Sequence, residues 1–201
     1  MMENLVFAAI ADDDTGASDL AGMLAEQRVS TLLVIDLPAE EQFLEWSHGC
    51  DAVVMAEGTR NLAPALAREK ARQALQIAAT REPRVVEVKY CSTFDSTLAG
   101  NIGPAIDAAM DELSEGFTIA LPALPVNGRT TKLGHHYVNG QPLSESPMRN
   151  HPLTPMTNSN LVEWLQHQTR RKVGLASLQE VEEGVEGLTH RFQELREQGV
   201  A

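Results

Sequence analysis

Residues 84–109 read RVVEVKYCSTFDSTLAGNIGPAIDAA, and the reading of this stretch decides the fold. Val85, Val86 and Val88 form a β-branched apolar run that reads as a buried strand ending near Tyr90. PAIDAAMDEL reads as a helix with Pro104 in its first turn, where the missing N–H costs little. The polar loop between them carries Lys89, Asp95, Ser96 and Asn101 and is punctuated by Gly100 and Gly103. Open α/β sheets hold anions and small polar ligands in such strand-to-helix loops, because free N–H groups and the helix dipole point into them. The stretch is read as the floor of a substrate site.

Towards the N-terminus the same unit recurs. LVFAAIA, from Leu5, fits a central strand and breaks at Asp12-Asp13-Asp14-Thr15-Gly16; ASDLAGMLAEQ then sets Leu20, Met23 and Leu24 on one helical face. Asp13 or Asp14 stands where a helix cap is wanted. STLLVI, from Ser30, gives a second strand and Ala39 to Ser47 a short amphipathic helix. DAVVMAEG gives a third strand that runs into Thr59-Arg60-Asn61, and the stretch from Ala63 to Ala79 is rich in helix formers.

Towards the C-terminus, Gly116 marks a helix stop and FTIAL reads as a fifth strand. Strands alternating with helices predict an α/β fold: a doubly wound, mainly parallel sheet of about five or six strands with helices on both faces. Over residues 122–158 helical periodicity is lost and proline, glycine, hydroxyls and histidines dominate. A stretch of that length without regular structure is usually functional or disordered. It is read as an ordered, proline-rich insertion forming a lid over the site, with a hairpin turning at Asn139-Gly140. A helix near Asn160, a short strand KVGLAS and a helical region from Leu178 to Gln198 follow.

The length of 201 residues suits one full domain, and 43% apolar with 22% charged residues is ordinary for a globular chain. A formal net charge of −12 argues against nucleic acid and anionic membrane partners, while leaving room for an acidic ligand held by a few cations in one cleft. Cys50 and Cys91 show no ligand spacing and read as free thiols of a reducing cytoplasm. The apolar run Leu5 to Ala11 is far shorter than a membrane span, and the N-terminus, with Glu3 and no basic region, is unlike a signal peptide. The expected location is cytoplasmic.

In a parallel sheet the loops after the first, third and fourth strands converge on one edge. They would bring together carboxylates from Asp12, Asp13 and Asp95, cations from Arg60 and Lys89, and polar groups from Ser96, Thr97 and Asn101. That mixture suits a small polyhydroxy acid, its carboxylate met by Arg or Lys and its hydroxyls by Asp and Asn. Arg149 and His151, in the insertion, are candidate lid contacts to the ligand or its incoming phosphate. His135-His136 sit on an extended segment and face opposite ways without a third ligand, so no metal site is assigned. Neither a P-loop nor a G-x-G-x-x-G fingerprint is present, and no residue of this chain is assigned to a cofactor.

ADDDTGASD after the first strand, KYCSTFDSTLAGNIGP after the fourth, and then PALPVNGRT, HHYVNG and LSESPMRNHPLTPMTNSNLVEWLQHQT together resemble the four-carbon acid sugar kinases, and within them the 3-oxo-tetronate 4-kinases. The resemblance reaches to about Thr169 and departs at Asp14, where many members have an apolar or hydroxyl residue. It implies a sugar-acid-binding domain over residues 1–169, followed by a strand and helix over 170–201 that lead to a nucleotide-binding domain. It also implies phosphoryl transfer from ATP, with Mg²⁺, to the terminal hydroxyl of the sugar acid, this piece alone being inactive. Asp12, Arg60, Lys89, Ser96, Asn101, Arg149 and His151 become substrate contacts, and Asp13 or Asp95 becomes the base that receives the C4 hydroxyl proton. A homo-oligomer is compatible with this reading. Two others stand beside it: a sugar-acid-binding module with no nucleotide partner, and a phosphatase built on the Asp12 loop.

Overall fold

The computed structural model of the chain describes residues 4–201; Glu3, used above for the N-terminus, lies outside them. Four parallel strands form the central sheet: β1 (Phe7–Ala11), β2 (Thr31–Ile35), β3 (Ala52–Ala56) and β4 (Val85–Lys89), in the order β2-β3-β1-β4. The register sets Ala11 against both Ala56 and Lys89, so the residues that follow β1, β3 and β4 emerge side by side.

Helices cover both faces, unequally. Helix α1 (Asp14–Glu26) lies on one face through Ala17 and Ala21, over Ala9, Ala11, Val54 and Ala56. Helices α2 (Glu40–Trp46), α3 (Pro64–Ala79) and α4 (Ile102–Glu112) share the other, where Phe43, Leu75, Ala71 and Ala105 enclose Ile10, Val53 and Met55. Small residues on these helices let the backbones approach the sheet closely, and the larger buried side chains fill the space between. Because α1 leaves β1 towards one face and α3 leaves β3 towards the other, a crevice opens at the carboxyl ends of these neighbouring strands.

The insertion is ordered. Strands β5 (Arg129–Lys132), β6 (His135–Val138) and β7 (Gln141–Pro142) form a small antiparallel sheet, and β6 and β7 turn through Asn139 (φ 52°) and Gly140 (φ 81°) as the Asn-Gly pair predicts. Leu143 and Met156 of the insertion pack with Phe94 and Ile102 and with Leu161, Trp164 and Leu165 of α5 (Leu161–Gln166). This second core seats the insertion on the loop between β4 and α4. The chain closes with α6 (Leu178–Glu182) and α7 (Gly184–Glu197).

Two strand expectations are corrected. Residues 117–121 and 172–176 enter no strand of the described sheets; the second segment contributes a single parallel bridge, Lys172 to Val200. Both runs are apolar, but what holds them is side-chain packing away from the β4 edge. The Phe117 ring meets Phe192 of α7 at 5.5 Å between centroids, with the Arg196 guanidinium 4.6 Å from its centre, while Ile119 and Leu121 stay 64% and 74% exposed. The two segments face a cavity of about 380 Å³ lined by Met110, Leu165, Val173, Leu175, Phe192 and Leu195 among others. No described helix is long and apolar enough to cross a membrane.

Candidate functional site

The crevice at the ends of β1 and β3 is closed by backbone before any side chain acts. The Asp12 N–H donates to the Lys89 carbonyl (3.0 Å), the Glu57 N–H to the Ala11 carbonyl (2.9 Å) and the Arg60 N–H to the Asp12 carbonyl (3.1 Å). The three turns thus form one surface. On it Arg60 extends its guanidinium between two carboxylates. Nε and Nη2 donate to Asp12 Oδ2 (3.0 Å) and Oδ1 (2.7 Å), and Nη1 donates to Asp13 Oδ2 (2.7 Å). The Asp12 contact is the paired, in-plane geometry that guanidinium and carboxylate favour.

Asp13 also caps α1, its Oδ1 accepting the Gly16 N–H at 2.8 Å. A side chain at Gly16 would place its first carbon 2.7 Å from that oxygen, 3.6 Å from Lys89 Nζ and 3.9 Å from Arg60 Nη2. Glycine therefore leaves a small space bounded by a carboxylate and two cations. Asn101, buried at the start of α4, reaches Asp12 Oδ2 with Nδ2 at 3.5 Å and joins the β4–α4 loop to the cluster. Burial pushes the Asp12 carboxyl above the ordinary carboxylate value, and the Arg60 hydrogen bonds and charge oppose the rise.

The sequence-predicted residues divide accordingly. Asp12, Asp13, Arg60, Lys89 and Asn101 come together. Asp95 is buried on the adjoining loop, with Oδ1 accepting the Thr93 hydroxyl at 2.7 Å. Ser96 is fully buried and its hydroxyl is committed: it donates to the Phe94 carbonyl (2.9 Å) and accepts from Trp164 Nε1 (3.1 Å) and Gln168 Nε2 (2.9 Å). That hydroxyl braces the loop. Arg149, exposed, donates to the Ser144 carbonyl (3.1 Å), and His151 Nδ1 meets Thr154, both inside the insertion. Among the described residues, neither has a hydrogen bond or ion pair to the Asp12–Arg60–Asp13 cluster.

Gln168 reaches over the loop between β4 and α4. Its Oε1 accepts the Gly103 N–H at 2.9 Å, which Gly100 and Gly103 permit: a side-chain carbon at either would lie 2.1 Å and 2.5 Å from Gln168 atoms. The glycines serve close packing. Glu57 and Thr59, buried under the Arg60 turn with the Thr59 hydroxyl donating to Glu57 Oε1 at 2.9 Å, were not singled out from the sequence.

Comparison with known proteins matches residues 7–201 to a family described as the sugar-binding N-terminal domain. The chain is 46% identical over 196 residues to the 3-oxo-tetronate kinase of Pseudomonas savastanoi pv. phaseolicola, covering 98% of this chain and 45% of that protein. It is 41% identical over 194 residues to the 3-oxo-tetronate kinase of Haemophilus influenzae, covering 96% of this chain and 46% of that one. The chain spans less than half the length of these curated relatives. Among solved structures, an H. influenzae protein superposes with a TM-score of 0.90 at 41% identity, over 96% of this chain and 46% of that one. A Bordetella bronchiseptica domain of unknown function, a domain-swapped dimer with bound citrate, superposes with a TM-score of 0.69 at 27% identity, over 80% of this chain and 39% of that one.

Proposed function

The chain belongs to the family of sugar-binding N-terminal domains, and from that premise we propose that it is the substrate-binding half of an ATP-dependent kinase that phosphorylates the C4 hydroxyl of a four-carbon sugar acid, 3-oxo-tetronate first. The observation that carries the proposal is the Arg60–Asp12–Asp13 cluster with Lys89 beside it. Cations there suit a carboxylate, and the adjoining carboxylates suit hydroxyls. The names of the relatives support the reaction class.

Arg60 and Lys89 bind the substrate carboxylate, while Asp12 and Asn101 receive its hydroxyls. Asp95 takes the proton from the C4 hydroxyl. It is favoured over Asp13 because both Asp13 oxygens are engaged, whereas on Asp95 only Oδ1 has a hydrogen-bond partner among the described residues. Arg149 and His151, on the lid at 122–158, meet the phosphate end of the ligand. ATP supplies the phosphoryl group and Mg²⁺ its counter-charge. The Gly16 and Gly103 N–H groups, in the first turns of α1 and α4, are held by Asp13 and Gln168, which supports placing the nucleotide outside the described residues. Nucleotide binding belongs to the remainder of the full-length protein, beyond the acid-binding unit at 1–169 and the linking segment at 170–201. A cytoplasmic location follows from the need for ATP, and a homo-oligomer is proposed by analogy with the B. bronchiseptica dimer.

The test mixes the full-length protein with ATP, Mg²⁺ and a panel of four-carbon sugar acids and follows ADP. Turnover with 3-oxo-tetronates is expected. Turnover with a different tetronate alone overturns the substrate, and binding without ADP leaves a sugar-acid-binding module. Hydrolysis of a sugar phosphate without ATP makes the protein a phosphatase.

A further inference from the structure

Glu57 lies directly behind the Arg60 cluster. It is 1% exposed; Oε1 accepts the Thr59 hydroxyl, and Oε2 is buried with no partner among the described residues. Its backbone is held on both sides, the N–H on the Ala11 carbonyl and the carbonyl on Lys70 Nζ of α3 at 2.9 Å. Thr59, also buried, accepts the Leu62 N–H on its carbonyl, and between them Arg60 departs towards Asp12. The Glu57–Thr59 bond is the internal brace of the turn that delivers the guanidinium.

We propose that Glu57 is a positioning residue for Arg60 and that its free Oε2 takes up a solvent proton when an anionic ligand enters the crevice; the second part rests on the sugar-acid reading above. The crevice already holds the carboxyls of Asp12 and Asp13 against the cations of Arg60 and Lys89, and Asp12 in turn faces the Glu57 carboxyl. One more carboxylate tips this balance where water is partly excluded. The first group to take a proton is the one whose charged form is least supported. Asp12 has two Arg60 donors, and Asp13 has Arg60 and the Gly16 N–H; Glu57 has a single hydroxyl.

The charged groups facing Glu57 are Asp12 from the turn after β1 and Lys70 from α3; Arg60, on the same turn, directs its guanidinium to Asp12 and Asp13. At the end of β2, Asp36 abuts the same strand end through its N–H on the Ala56 carbonyl. Burial, helped by the charge of Asp12 and opposed by the Thr59 hydroxyl and Lys70, raises the Glu57 carboxyl to about 7. A small change in local charge then moves a proton at neutral pH. The step forms one O–H bond at Oε2, with the proton drawn from solvent and no bond to carbon or phosphorus changed.

Calorimetric binding of a 3-oxo-tetronate, with D-erythronate and L-threonate beside it, to the full-length protein without nucleotide, at pH values from about 6 to about 8.5 and in buffers of different ionisation enthalpy, provides the test. The wild type is expected to take up a fraction of a proton on binding, and its affinity to fall by up to about tenfold per pH unit above neutrality. Glu57→Gln, which mimics the protonated carboxyl, is expected to bind without proton uptake and with a flat profile. Equal uptake in both proteins, or none in a wild type that binds, overturns the proposal. The ¹³C shift of the Glu57 carboxyl in the ligand-free wild type is titrated separately, and it also decides the matter if the variant does not fold. A midpoint in the ordinary carboxylate range overturns the proposal whatever binds. A near-neutral midpoint with no tetronate binding upholds the Glu57 assignment and places the failure on the sugar-acid reading.

Discussion

Gln168 closes over Gly103: its Oε1 accepts the Gly103 N–H at 2.9 Å, while its Nε2 donates to Ser96 Oγ at 2.9 Å and to the Thr97 carbonyl at 3.0 Å. The Gly103 N–H, in the first turn of α4, is thereby satisfied from within the protein. Arg60 and Lys89 stand in the neighbouring crevice, where the proposed function places recognition of the acid.

Gly100→Ala tests this closure. The position has φ +68°, and the added carbon would meet Gln168 Oε1. A loss of about 1–3 kcal/mol is expected from backbone strain and the displaced hydrogen bonds. Adding Gln168→Ala relieves the collision but not the strain, so the two losses should be less than additive in urea denaturation of all four proteins. Strict additivity would show that the two residues do not meet.

Arg60→Ala leaves Asp12, 6% exposed, without its partner. Near neutral pH the cost is expected to be about 3 kcal/mol. Burial already raises Asp12, and removing the guanidinium raises it further. The folded variant therefore takes up a proton on acidification and the penalty shrinks. A penalty that stays constant from about pH 4 to about pH 8 contradicts the pairing.

Glu57→Gln should change how stability depends on pH. The wild-type carboxyl is raised from 4.5 to about 7 in the folded chain, so its contribution is intact below the unfolded value and lost as pH rises through that window. Relative to their difference at low pH, the variant should gain up to about 3 kcal/mol on the wild type above neutrality. Parallel stability curves for the two proteins would dismiss the shift.

Asp95→Asn in the full-length protein keeps an acceptor for Thr93 and removes the basic oxygen. A fall in kcat of about 10²–10⁴ with KM little changed is expected of a lost general base. An effect confined to KM would reassign Asp95 to binding.

The four parallel strands, their three main helices and the Asn-Gly hairpin were legible because each rests on local signals: short apolar runs, helix-forming stretches and a turn pair. The convergence of Asp12, Arg60 and Lys89 followed from strand ends alone. Residues 117–121 and 172–176 were misread because a short apolar run does not say whether the segment pairs with a sheet, packs by its side chains or, as at Ile119 and Leu121, stays exposed. The packing of Ser96 and Gly103 was not legible for a related reason: their partners, Trp164 and Gln168, lie more than sixty positions away. Glu57 was passed over because a glutamate after a strand reads as solvated. Its one signal was an uninterrupted apolar strand running straight into it.

Three of the five N–H donors of Arg60 are already engaged by the protein's own carboxylates. The crevice therefore contains an internal competitor for whatever acid arrives. A bare monocarboxylate gains from Arg60 little more than it takes from Asp12 or Asp13, and the displaced carboxylate is left short of donors. An acid that also carries hydroxyls returns hydrogen bonds to the carboxylates it displaces. On the proposed sugar-acid function, selectivity for polyhydroxylated acids over simple ones would then arise from exchange within the crevice, without a pocket shaped to exclude the simpler molecule.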